Sequence, residues 1–218
     1  MTEIIKHHLS DALLMAYSAG NLPEAFDLAV ATHISLCDEC RAKAESFDAV
    51  GGALLEEADA SAESLGAVSL DATFARIDAQ PQDRVAPRRN PNGVFPAPLH
   101  DYVGGDLEAV RWRSVGMGVR QAILTTGDRA TARLLYIPAG LAMPDHGHRG
   151  MELTMVLQGA FQDEDDYFAR GDVEIADSDV QHTPVADVHE DCICLAVTDA
   201  PLRFTSFMPR IAQKFLRI

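Results

Sequence analysis

Residues 144–159 read PDHGHRGMELTMVLQG, and this stretch decides the fold of the larger part of the chain. His146 and His148 lie two apart, so on an extended backbone both imidazoles project to one side. A turn around Arg149-Gly150 brings in Glu152, which opens an alternating apolar run that Gly159 closes, the pattern of a strand ending in a hairpin. Two imidazoles and a carboxylate that converge on one point form a metal site. The donor types suit zinc, iron, manganese, nickel or copper, and residue types alone do not choose among them.

The surrounding sequence carries the same reading. RWRSV (111–115), VRQAILTT (119–126), ARLLYIPAG (132–140), ELTMVLQGAF (152–161), DVEIA (172–176), DCICLAVT (191–198) and LRFTSF (202–207) are short strand-like runs separated by Gly, Asp and Pro turns. Many short strands at this spacing mean a sandwich or a barrel. Cys192 and Cys194 alternate with Ile193 and so share one side of a strand, facing the barrel interior in this reading. They are either thiols open to oxidation near a metal or small core hydrophobes. Trp112 and Tyr136 read as core aromatics, and His100 and His189 stand alone without a role.

Upstream the pattern changes twice. Between Gln80 and Pro98 the chain reads QPQDRVAPRRNPNGVFPAP, with five prolines and no periodicity. This is a linker, placed at 81–98, and it predicts separately folded units at 1–80 and 99–218. The first unit is helical. Ser10 can cap DALLMAYSAG, with Gly20 at its stop; Pro23 suits the first position of a second helix; a third starts near Asp38 and should stop at Gly51-Gly52. A weaker fourth helix covers LDATFARIDA, where Phe74 and Ile77 share a face.

Composition bounds the function. The chain has 218 residues, is 47% hydrophobic and carries a net charge of −15. Residues 1–80 hold 4 Lys and Arg against 14 Asp and Glu, so the helical part is strongly anionic. Such a surface repels nucleic acid and membrane but steers a basic protein partner. No apolar run approaches the roughly 20 residues of a membrane helix, and MTEIIKHHLSDALL has no signal-peptide pattern, so a cytoplasmic location is expected. The four cysteines lie in two close pairs, which in a reducing compartment points to metal or redox chemistry.

The first pair sits in THISLCDEC, residues 32–40. His33, Cys37 and Cys40 are spaced to bring three donors to one face of a helical segment. Zinc wants four donors in a tetrahedron, and one is missing from the stretch. His7 and His8, just ahead of the first helix, are the other histidines at hand. A structural metal would supply what a small three-helix unit lacks in buried area. A core histidine with two buried thiols, or a redox-active Cys37/Cys40 pair, are the alternatives.

These motifs carry three resemblances. A histidine followed by His33-x3-Cys37-x2-Cys40 on short helices resembles the zinc anti-sigma domain of bacteria, which wraps a sigma factor of the extracytoplasmic-function type. Its family position implies His8 as the fourth ligand. Gly140-x5-His146-x-His148-x3-Glu152-x6-Gly159 resembles the first motif of the cupin barrel, a double-stranded β-helix of jelly-roll type. The second cupin motif, from Gly171-Asp172 to HTPVA, implies His182 as its last ligand, although Asp177-Ser178-Asp179 replaces the usual Pro-x-Gly. In this order the two units resemble ChrR-type anti-sigma factors over nearly the whole chain.

That resemblance implies a transcriptional regulator and not an enzyme. Its N-terminal domain would hold the sigma factor, its partner, and its cupin domain would sense oxidative stress such as singlet oxygen. Two zinc ions are implied, one on His8, His33, Cys37 and Cys40, the other, zinc or another divalent metal, on His146, His148, Glu152 and His182. The competing class is a metal-dependent cupin oxygenase or isomerase acting on a small molecule. That reading leaves the helical unit without a purpose.

Overall fold

A computed structural model of the chain describes residues 4–57, 67–79, 93–147, 149–200 and 203–204. Residues 81–92 of the expected linker and most of LRFTSF lie outside these, as does His148.

Helix α1 (Asp11–Ser18) starts where expected: Ser10 is extended and its side chain accepts from the Leu13 amide. Gly20 takes the left-handed φ of 67° that turns the chain into α2 (Glu24–Ile34). Pro23 is the cap of α2, with ψ 144°, and not its first helical residue. Helix α3 (Asp38–Glu57) does not stop at Gly51-Gly52. Both glycines are exposed and keep negative φ, so the helix bears a propensity cost of about 1 kcal/mol each and runs on to Glu57. Helix α4 (Ala67–Asp78) covers the weak fourth pattern, and α5 (Ala97–Val103) begins inside the Pro-rich stretch behind a Pro96 cap. Among the described residues no helix is long and apolar enough to cross a membrane.

The rest is antiparallel β-structure. One six-stranded sheet contains β1 (Arg113–Gly116), β2 (Val119–Ile123), β3 (Thr131–Ile137), β5 (Glu152–Gln158), β8 (Val173–Ala176) and β11 (Cys192–Thr198), in the order β1-β2-β3-β11-β5-β8. Across the barrel, β6 (Ala160–Gln162), β7 (Tyr167–Ala169) and β10 (Val185–Ala186) form a second sheet. The third joins β4 (His146–Gly147), β9 (Gln181–His182) and β12 (Arg203–Phe204). Gly159 turns β5 into β6 at φ +66°, and a Cβ there would come within 2.7 Å of the Asp191 carbonyl oxygen.

The two faces of the large sheet serve different cores. Val156, Cys192 and Cys194 face inward with Phe161 and Phe168, while Leu134, Leu153, Met155, Leu195 and Val197 face outward. The outward face packs against Leu13, Leu14, Phe26, Leu28 and Val30 of the helices. Strand β11 is therefore buried at all seven positions, which explains the unbroken apolar CICLAVT. Helix α2 is buried on most sides for the same reason. The helices and the barrel share a core, where the Pro-rich stretch had suggested two independent units. A small helical bundle buries too little apolar surface alone, and the sheet supplies the rest.

Polar contacts tie the same boundary. Asp172, buried at the head of β8, accepts the Lys6 amide at 2.6 Å and the His7 amide at 2.9 Å. Glu24 at the start of α2 accepts from Tyr102 and from the Gly127 amide.

Candidate metal centres

The first centre forms around the N-terminus of α3. Adjacent residues of the extended arm project to opposite sides, so His7 and His8 part company. His7 lies tilted against Phe168 with ring centroids 4.4 Å apart and bonds Asp166 at 2.9 Å. His8 turns the other way, with Nδ1 3.3 Å from Cys37 Sγ and 3.6 Å from Cys40 Sγ. Ligand atoms on a tetrahedral zinc lie about 3.3–3.8 Å apart, given Zn–N near 2.0 and Zn–S near 2.3 Å. The observed spacings fall in that range. One donor atom from each of His8, His33, Cys37 and Cys40 lies within 4.8 Å of every other.

His33 is fully buried and its Nδ1 is 2.9 Å from the carbonyl oxygen of Gly171. A carbonyl only accepts, so Nδ1 carries the hydrogen and Nε2 presents a lone pair. Nε2 has no hydrogen-bond partner among the described residues. Burial, only partly offset by the Gly171 bond, lowers the pKa of His33 to about 4, so it stays neutral as a metal ligand must. The Cys40 thiol is pushed up to about 11, first by burial and then by the proximity of Cys37, against the pull of a Leu9 backbone bond and Lys43. Two nitrogens and two sulfurs, one nitrogen buried without a partner, fit a soft divalent cation.

The second centre lies inside the barrel. His146 on β4 and His182 on β9 are directly paired across the small sheet, and their Nε2 atoms are 3.3 Å apart. His146 Nδ1 donates to the Pro144 carbonyl at 2.9 Å, and His182 Nδ1 to Glu174 at 2.7 Å. Both rings thereby turn Nε2 toward the same point, where a proton or a cation must sit between them. Burial disfavours charge on His182, yet the hydrogen bond and charge of Glu174 raise its pKa to about 9. Glu152, buried at the start of β5, accepts from Thr154 at 3.0 Å.

Asp163, Glu174 and His182 also form a group that could hold a metal ion, on the Nδ1 side of the His182 ring. Sequence reasoning did not single out Asp163 or Glu174. The available signal was Glu174 standing between Val173 and Ile175 in a strand whose neighbours are apolar. Cys192 and Cys194 are buried with their sulfurs 3.4 Å apart, facing the interior. His100 is buried against the Phe95 carbonyl, while Trp112 and Tyr136 are only half-buried, with the Arg120 guanidinium 3.7 Å over the Tyr136 ring.

The model of the ChrR cupin-like domain matches residues 100–201. The anti-sigma-E factor ChrR of Cereibacter sphaeroides is 63% identical over 98% of this chain and 99% of its own length. The chain belongs to the ChrR family of anti-sigma factors. A crystal structure of Rhodobacter sphaeroides SigE in complex with the anti-sigma ChrR matches with a TM-score of 0.78 and 60% identity, over 89% of this chain and all of that one. Membership of the ChrR family accounts for both halves of the chain at once: a helical region with a His/Cys cluster joined to a cupin-like β-domain. The relative is an anti-sigma factor and not an enzyme.

Proposed function

We propose that this chain sequesters a sigma factor of the extracytoplasmic-function type through its helical N-terminal region and lets it go when the cupin domain registers oxidative stress such as singlet oxygen. The identity of 63% over nearly the full length with a protein named anti-sigma-E factor carries this reading.

The surface supports it. Val50, Leu54 and Leu55 on α3 and Leu70, Phe74 and Ile77 on α4 are large apolar residues left exposed. Acidic residues crowd the same helices, among them Asp48, Glu56, Glu57, Asp71 and Asp78. Apolar anchors with an anionic rim suit a basic helical partner, and sigma factors present basic surfaces to DNA and polymerase. We assign residues 1–80 to sigma binding, 81–98 to the linker and 99–218 to sensing.

We further assign zinc to His8, His33, Cys37 and Cys40, and zinc or another divalent metal to His146, His148, Glu152 and His182. In the second set Glu174 and Asp163 serve as the outer carboxylates that orient the His182 ring. When bound, the metals supply cross-links between chain segments that would otherwise separate.

The two centres are joined through the segment from Gly171 into β8. Gly171 orients His33, Asp172 pins the arm that carries His8, and Glu174, two residues on, holds His182. A displacement of Glu174 therefore reaches both histidines of the first centre through four residues of backbone. A few kcal/mol of differential binding is enough to release most of a bound partner.

The test is to co-purify the full chain with its sigma factor and follow sigma-dependent transcription in vitro. A one-to-one complex that silences transcription, weakened at least tenfold by F74D or L54D, is the expected result. Undiminished transcription with excess chain present would refute sequestration.

A further inference from the structure

The barrel encloses a cavity of about 90 Å3 beside His146 and His182. Its walls are mostly apolar, with Leu135, Ile137, Met143 and Phe161 among them, and Arg133 from β3 enters the same space. Arg133 is 6% exposed, and among the described residues neither its Nε nor its Nη1 finds a hydrogen-bond partner. The alternation of β3 explains how a cation comes to be there: Ala132 and Leu134 face the helices, so Arg133 faces inward.

A buried guanidinium with two of its three nitrogens lacking acceptors is costly, and natural proteins keep such groups paired. Glu152 is the carboxylate whose charge acts on Arg133. It is also an expected metal ligand, and one carboxylate cannot fully satisfy a divalent cation and a guanidinium together. The site thus offers a guanidinium shared, among the described residues, only with Glu152, three open N–H donors at Nε and Nη1, and a mostly apolar enclosure.

We propose that the barrel cavity binds a small monocarboxylate, its carboxylate on Arg133 and its short apolar body among Leu135, Ile137, Met143 and Phe161. The volume sets the size. A water-sized group takes roughly 10–15 Å3 of such space, so the cavity admits about six to nine heavy atoms. Short or branched aliphatic acids fit, and long-chain fatty acids do not. The charge of the guanidinium favours an anion, and the carboxylates of Glu152 and Glu174 in the same lining oppose a second negative charge. The site goes beyond sigma-factor binding and does not depend on it.

The test uses the purified full-length chain titrated with isobutyrate, and with isobutyramide as its uncharged isostere, by calorimetry and by thermal unfolding. Isobutyrate should bind saturably and raise the unfolding midpoint, while isobutyramide should bind at least tenfold more weakly. R133M should lose isobutyrate binding at least tenfold, and R133K, which keeps the charge, should retain part of it. Equal binding of the two probes, or no saturable binding of either, overturns the proposal. So does isobutyrate affinity that is unchanged in R133M but vanishes after chelator treatment, because the anion would then sit on the metal alone. Should R133M fail to fold, R133K and the acid–amide comparison on the unaltered chain decide the matter.

Discussion

His33 of the helical region donates its Nδ1 hydrogen to the carbonyl oxygen of Gly171 in the barrel, 138 residues away in sequence, at 2.9 Å. The bond sets the tautomer of a residue that faces two cysteines, and its acceptor is the residue that precedes Asp172 and β8. The helical His/Cys cluster is therefore oriented from outside its own region.

Gly171 itself is testable. It holds φ +92°, and a Cβ would lie 2.7 Å from Ile5 Cδ1 and Cγ1. Ala at this position should cost about 1–3 kcal/mol through strain and displaced packing. Thermal unfolding gives the magnitude, and hydrogen exchange should show the loss concentrated in the arm around His8. An unchanged midpoint would mean that the arm is not seated on Gly171.

Asp172 accepts from the amides of Lys6, His7 and Ala169 while almost fully buried. D172A leaves these donors without a partner and should destabilise the chain by about 2–4 kcal/mol. It should also speed transfer of the first metal to a chromophoric chelator. Transfer at the unaltered rate would uncouple Asp172 from the metal.

Acid sensitivity follows from His33. Its folded pKa is lowered to about 4, mainly by burial, against an ordinary value of 6.5. The unfolded chain takes up this proton first as pH falls, so stability is full above about 6.5 and declines toward 4. In the chelator-treated protein the loss should reach up to about 3 kcal/mol by pH 4. Denaturant midpoints at pH 7.5 and 5 measure it, and H33N should flatten the difference.

Metal uptake at the first centre should release protons. Burial raises the Cys40 thiol to about 11, so without a cation it is protonated at pH 7, and only the thiolate binds metal. Calorimetric titration with zinc in two buffers of different ionisation enthalpy counts the protons. C40S should release at least one fewer and hold the metal far more weakly.

The second centre predicts a separation of roles. H146A with H182A should lower bound metal by one ion per chain and leave inhibition of the sigma factor intact, while the response to a photosensitiser disappears. E174Q, which keeps the shape of the outer carboxylate but not its charge, should weaken metal retention by about 10–100-fold. Full induction in the double variant would remove the cupin from the sensing role.

Short-range relations were legible in the sequence. His33, Cys37 and Cys40 span eight residues from the end of α2 to the first turn of α3, so spacing alone announced the His/Cys group, whereas Asp163, Glu174 and His182 come from three segments that spacing does not join; the alternation of CICLAV placed Cys192 and Cys194 on one side. The cap at Ser10 and the turns at Gly20 and Gly159 follow from local backbone chemistry in the same way. What spacing cannot convey is which distant segment arrives at a site. The side of the arm that meets Cys37, the Gly171 carbonyl behind His33, Glu174 behind His182 and the inward position of Arg133 all depend on strand register and on the docking of α2 against the large sheet. Those are set by burial summed over the whole core, and a one-residue slip in any strand would have turned a different side chain into the barrel.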